Sequence, residues 1–233
     1  MSYLCEKTEQ HFMKNILFTF IIIIGAALAI YLGFISKSKN KPLRYLPYYG
    51  NSEIKPSLKG SGMDTIYKSI ADFSFIDQKG NIVSQENFKD KIYVADYFFC
   101  TCQSICPIMS VQMERVAAAF KDEADIKFIS HTVNPEYDSV NVFADYAAAH
   151  HAVYGKWYLV TGNKKALYDL ARESYLLDAS EGDGGEDDFI HTQNFALIDK
   201  ERHIRGYYDG TNPKEVDQLI NDIKLLKKEY TSK

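Results

Sequence analysis

The chain has 233 residues, with 27 Lys and Arg against 31 Asp and Glu for a formal net charge of -4, and 46% of its residues are hydrophobic. The basic residues are dispersed and outnumbered, so there is no electrostatic footprint for nucleic acid. The apolar content is enough for a packed core, and once an N-terminal apolar run is set aside roughly 170–190 residues remain, one ordinary domain.

Residues 1–15 form an N-terminal flank in which Met13-Lys14-Asn15 reads as a compact signal n-region, so that Met13 is an alternative start to Met1. The run from Ile16 to Ile35 contains no charge and matches a bilayer core at helical rise. It reads as one N-terminal transmembrane anchor helix, or as a signal segment ending near Ala27-Leu28-Ala29. Lys37, Lys39, Lys41 and Arg44 follow the run and only Lys7 and Lys14 precede it, a charge count that by itself favours a cytoplasmic C-terminal domain.

Residues 36–68 are rich in Lys, Pro, Gly, Ser and Tyr without sustained periodicity and read as a tether, with the folded domain expected over 69–233. DFSFIDQKGNIVS reads as two short strands around a turn at Gly80, and Ile92 to Phe99 as a buried strand. Pro107 to Phe120 has helical spacing, IKFISHTV reads as a strand, and a helix (Ser139 to His150), a strand (Trp157 to Val160) and a helix (Lys164 to Tyr175) continue the alternation. The acidic stretch Glu181 to Asp188 reads as a solvated loop that could also act as a lid. Phe195 to Asp199 and His203 to Tyr208 read as an antiparallel hairpin, and Asn212, Pro213 and Glu215 mark the start of a last helix. The fold class is α/β, a central sheet flanked by helices.

Cys102 and Cys106 lie four positions apart where a buried strand turns into a helix, the edge at which α/β sheets expose functional groups. Helix-end amides favour a thiolate there, suited to redox exchange or to a soft metal. Cys100 reads as a small buried residue, Cys5 as incidental, and Asp96 as a candidate supporting group within the strand. Of six histidines, His191 stands out because it precedes Phe195 to Asp199 and arrives at the edge that carries the cysteines, but the residues alone leave its role open.

From about Ile70 to Tyr230 the chain resembles the Sco/SenC family of copper chaperones, through Cys102-Gln103-Ser104-Ile105-Cys106-Pro107, SHTVNPEYDSVNVFADYA, WYLVTG and His191 ahead of FALID. The resemblance implies a thioredoxin-like fold with a central mixed sheet. It also implies one copper ion, Cu(I) or Cu(II), on Cys102, Cys106 and His191, and delivery to subunit II of cytochrome c oxidase. It further implies a membrane-anchored protein of the bacterial inner membrane with its domain in the periplasm, against the charge count. Gln103 stands where the family usually has Pro, and Cys100 where it commonly has Thr. The alternative readings are a thiol-disulfide reductase, with Cys102 and Cys106 as a catalytic redox pair served by a thiol-disulfide reductant, and a copper or redox sensor. The spacing of the cysteines is Cys-x-x-x-Cys, and no Pro lies between Pro135 and Pro213, both unlike a plain thioredoxin.

Overall fold

The computed structural model describes residues 22–31, 45–57, 61–178, 185, 188 and 190–231. The chain divides into two compact units, Met1–Arg44 and Tyr45–Lys233. In the first, residues 22–31 form an exposed helix, α1. The rest of the run expected to span a membrane lies outside the described residues. Among the described residues no helix is long and apolar enough to cross a membrane.

The second unit is a mixed α/β fold. Its strands are β1 (Ser52–Pro56), β2 (Met63–Tyr67), β3 (Ser74–Asp77), β4 (Ile82–Ser84), β5 (Ile92–Phe98), β6 (Ile126–Thr132), β7 (Trp157–Thr161), β8 (Asn194–Ile198) and β9 (Ile204–Asp209). Its helices are α2 (Ile105–Ala119), α3 (Val140–Ala149), α4 (Lys164–Asp169), which widens into a π turn at Leu170–Ser174, and α5 (Pro213–Thr231). Strands β3 to β9 form one sheet in the order β4-β3-β7-β6-β5-β8-β9. β5, β6 and β7 run parallel, while β3, β8 and β9 pair antiparallel with their neighbours, so the sheet is mixed.

Every residue of β5 is buried, because helices cover both faces of the sheet. Ile92, Val94 and Phe98 face the α2, α3 and α5 side with Met109, Met113, Phe143 and Leu219. Tyr93, Ala95 and Tyr97 face the α4 side with Leu167, Tyr168 and Ala171. In the β3–β4 turn Gly80 has a φ of +79°, and the Asp77 carboxylate accepts the amides of Lys79 and Asn81 at 2.8 and 2.9 Å.

The reading of 36–68 as a segment without regular structure missed the β1–β2 hairpin, and it missed Leu46, which is buried in the core. Buried Arg205 explains the early start. Its guanidinium donates to the carbonyls of Leu46 and Pro47 at 2.7 and 3.1 Å and pairs with Asp199 and Glu229 at 3.1 and 2.8 Å, while Glu229 accepts the Leu46 amide at 2.7 Å. Neither β1 nor β2 buries an apolar face, which is why no period-2 signal announced them.

The topology decides what meets at one edge of the sheet. β5 and β6 are parallel and β8 is antiparallel to β5, so the C-terminal ends of β5 and β6 and the N-terminal end of β8 lie together. Three segments therefore converge there: the cysteine loop after β5, residues 133–138 after β6, and residues 190–193 before β8.

Candidate functional site

The cysteine loop is a tight connection, closed by the Cys102 amide donating to the Phe99 carbonyl at 3.2 Å. α2 begins two residues earlier than the sequence suggested, at Ile105, with Ser104 as the residue before it. The Ser104 side chain does not cap that helix and instead lies 3.5 Å from the Cys102 sulfur. The amides of Ser104 and Cys106 also point at this sulfur, so Cys102 takes the place of the missing cap.

All three described cysteines are free thiols. Burial pushes the Cys102 thiol up, but the Ser104 hydroxyl, the Cys106 and Ser104 amides and the Cys106 thiol donate to it, and the net result is a fall to about 7. Cys106 behaves oppositely. Burial leads, helped by the nearby Cys102 and Asp96 charges and opposed by the Phe99 amide, and its thiol rises to about 12. Cys100 also rises, through burial first and then the Asp138 carboxylate and Cys106. At neutral pH the loop thus holds one thiol close to its ionisation point and two firmly protonated ones.

His191 is exposed and lines an open depression with Asp178, Thr192, Asn194 and Ile105, the residue immediately before Cys106. The segment that carries it is held on both sides. Ile190 is 2% exposed and packed in the core, and the Gln193 carbonyl accepts the Gly210 amide at 2.7 Å. The structure therefore sets Cys102 and Cys106 close enough to influence each other at the start of α2 and brings His191 to the rim beside that helix.

Two carboxylates support the loop. Asp138 is fully buried, accepts the Cys100 amide on both oxygens at 3.3 Å, and accepts the Thr132 hydroxyl at 2.5 Å, with burial raising its pKa. It was not singled out in the sequence, although Asn134-Pro135-Glu136-Tyr137-Asp138 is a turn placed directly after a buried strand. Asp96 is 2% exposed, one of its oxygens has no hydrogen-bond partner, and burial lifts its pKa to about 7 against a smaller opposing bond from Ser130. Most of the acidic loop expected over 181–188 lies outside the described residues. Asp188 within it is not a solvated carboxylate, because Arg172 grips it.

A family model for SCO1/SenC matches residues 63–228. A SCO1 protein homolog of Bacillus subtilis is 29% identical over 163 residues, which is 69% of this chain and 84% of that protein. BsSco, a solved member of the Sco family of cytochrome c oxidase assembly proteins, is 28% identical with a TM-score of 0.58, covering 68% of this chain and 93% of BsSco. Bradyrhizobium japonicum ScoI with copper bound shares the fold at 20% identity and a TM-score of 0.53, over 66% of this chain and 98% of that one.

Proposed function

This chain belongs to the SCO1/SenC family, and on that premise we propose that it is a copper-binding metallochaperone that delivers its ion to subunit II of cytochrome c oxidase during oxidase assembly. Cys102, Cys106 and His191 are the ligands. In this reading residues 16–35 anchor the chain in the bacterial inner membrane and the folded unit faces the periplasm.

The observation that carries the reading is a pair of neighbouring thiols of unequal acidity at a helix N-terminus, with an exposed imidazole on the same sheet edge. Two thiolates and one neutral imidazole form a soft donor set suited to Cu(I), and Cys102, near 7, offers a thiolate at neutral pH. Cys106, near 12, gives up its proton only when the cation arrives, so loading releases protons and affinity rises with pH. His191 then closes the site from the rim. A partner bringing its own sulfur and nitrogen donors removes the ion by exchanging one ligand at a time.

The test is copper stoichiometry and sulfur-to-copper charge-transfer spectra for the wild type, Cys102→Ser, Cys106→Ser and His191→Ala, followed by transfer to the copper-receiving fragment of oxidase subunit II. One copper per chain, lost with either cysteine and weakened with His191→Ala, is the expected result; full-strength binding by His191→Ala refutes the three-ligand site. The same acidity gap between Cys102 and Cys106 also favours a second reading, a thiol-disulfide reductase that keeps oxidase cysteines reduced. That reading predicts exchange activity indifferent to His191→Ala.

A further inference from the structure

Arg172 has no place in the metal site, yet it is among the most constrained cations on the same edge of the fold. Its guanidinium makes a bidentate pair with Asp188, at 2.7 Å from Nη1 and 2.6 Å from Nη2, with the two side chains only 13% and 9% exposed. Nη2 also lies 3.8 Å from the Asp178 carboxylate, and the guanidinium sits 5.4 Å from the centre of the Tyr168 ring. Tyr168 is itself fixed by donating to the Val133 carbonyl at 2.7 Å.

The backbone under Arg172 is unusual. α4 widens at Leu170–Ser174 into a single π turn, a feature that redirects side chains and recurs at functional sites. A second cation of the same helix works alongside it, since Lys164 Nζ donates to the Gly185 carbonyl at 2.7 Å. One helix therefore holds the segment before His191 at both residue 185 and residue 188.

His191 follows Asp188 by three positions and precedes the first residue of β8, Asn194, by three. Three extended residues span about 10 Å at most, so fixing Asp188 bounds where the imidazole can go. Asp178, the second carboxylate near Arg172, lines the same depression as His191 and Ile105.

We propose that the Arg172–Asp188 pair is a positioning device for His191, setting how tightly the imidazole completes the copper site and how readily it lets go. The inference rests on the reading of His191 as a ligand. Arg172 touches neither the ion nor the thiols. It holds the imidazole in reach of the thiol pair, so cargo affinity and release rate respond to a side chain outside the coordination sphere. Partners that orient metal ligands commonly change affinity by about 10–100-fold when removed.

The experiment uses the full chain in mild detergent, as wild type, Arg172→Met, Arg172→Lys, Asp188→Asn, His191→Ala and the double variant Arg172→Met/His191→Ala. The readouts are Cu(I) affinity by chelator competition, the Cu(II) charge-transfer and electron paramagnetic resonance spectra, and Cys102 alkylation as a check on the thiol loop. The expected result is a loss of about 10–100-fold in affinity for Arg172→Met, with altered nitrogen coupling, unchanged Cys102 alkylation, and no further loss in the double variant. Lysine, which keeps the charge but not the fork, restores only part of the affinity. Leaving Asp188 buried without its partner threatens folding, so Asp188→Asn, which removes the charge instead, provides the second route to the same comparison. Wild-type affinity and spectrum in both Arg172→Met and Asp188→Asn overturn the proposal, as does an equal further loss on the His191→Ala background. If His191→Ala itself binds copper like the wild type, the three-ligand reading falls and takes this one with it; if only the Arg172 and Asp188 variants are silent, this one alone falls.

Discussion

Replacing Asp96 with Asn gives a pH-dependent gain in stability that follows from the geometry. Asp96 lies in the middle of β5, 2% exposed, and burial raises its carboxyl from an ordinary 3.8 to about 7. Between those two values the native state holds a proton that the unfolded chain has released, so stability falls as pH rises from about 4 to about 7. Each pH unit in that interval is worth about 1.4 kcal/mol, for a total of about 4 kcal/mol at neutral pH. His131, on the paired strand β6, has the opposite sign. It is fully buried, donates from Nδ1 to the Asp96 carbonyl at 3.2 Å, and burial lowers it from 6.5 to about 3, so its contribution grows as pH rises through that range. In the wild type the two slopes nearly cancel between about pH 4 and 6.5. In Asp96→Asn only the His131 slope remains, and the variant gains on the wild type from near zero at pH 4 to about 4 kcal/mol above pH 7. The assay is denaturant unfolding of the reduced, metal-free unit beginning at Tyr45, from pH 3.5 to 8, with the difference between the two proteins plotted against pH. A difference that stays flat within about 1 kcal/mol, or that shrinks as pH rises, refutes the assignment of a protonated, desolvated Asp96.

Two further outcomes are expected. Among the described cysteines, alkylation of the reduced protein shows one titrating near pH 7, Cys102, and Ser104→Ala, which deletes the hydroxyl 3.5 Å from that sulfur, moves the midpoint up by about one pH unit. Its rate at pH 7 falls only about twofold, because a more basic thiolate is also more nucleophilic, so the midpoint is the quantity to measure; an unmoved midpoint refutes the role given to Ser104. Arg205→Met leaves Asp199 and Glu229 buried without their cation and costs about 3–5 kcal/mol in denaturant unfolding. It also exposes residues 45–49 to proteolysis, and a variant that keeps both wild-type stability and protection there refutes the account of how the chain start is held.

What could be read from the sequence was whatever local chemistry dictates. The α5 start was legible because Asn212 accepts the Lys214 amide at 3.1 Å and Glu215 reaches back to the Asp209 amide at 2.7 Å, contacts made within a few residues. The β5 strand was legible because a run buried on both faces reads as a near-continuous apolar stretch, interrupted here by Asp96 alone among charged residues. The parts that stayed hidden depend on distant partners. Asp138 looks like a turn residue until β6 brings it under the Cys100 amide. Arg205 looks like an exposed strand charge until Leu46, Pro47 and Glu229 surround it. Asp188 reads as one of several solvated acids until the π turn aims Arg172 at it.

If Cys102 and Cys106 carry copper as proposed, their unequal acidity bears on the direction of transfer as well as on binding. Cys102 is stabilised as a thiolate by helix-end amides and by the Ser104 hydroxyl. Cys106 lies 3% exposed among apolar residues, near the raised carboxyl of Asp96, and its thiolate has no comparable support. On the copper reading, the Cys106 sulfur is therefore the donor whose loss costs least, because a proton readily takes the metal's place on it at neutral pH. His191, exposed at the rim, is the donor that an approaching partner meets first. Ligand exchange then proceeds from the rim inward, His191 and Cys106 yielding to the partner's donors while Cys102 holds the ion until last. A symmetric pair of acidic thiols would bind more tightly and release more slowly, so on the proposed function the burial that makes Cys106 a poor thiolate is what would suit the site to handing its cargo on.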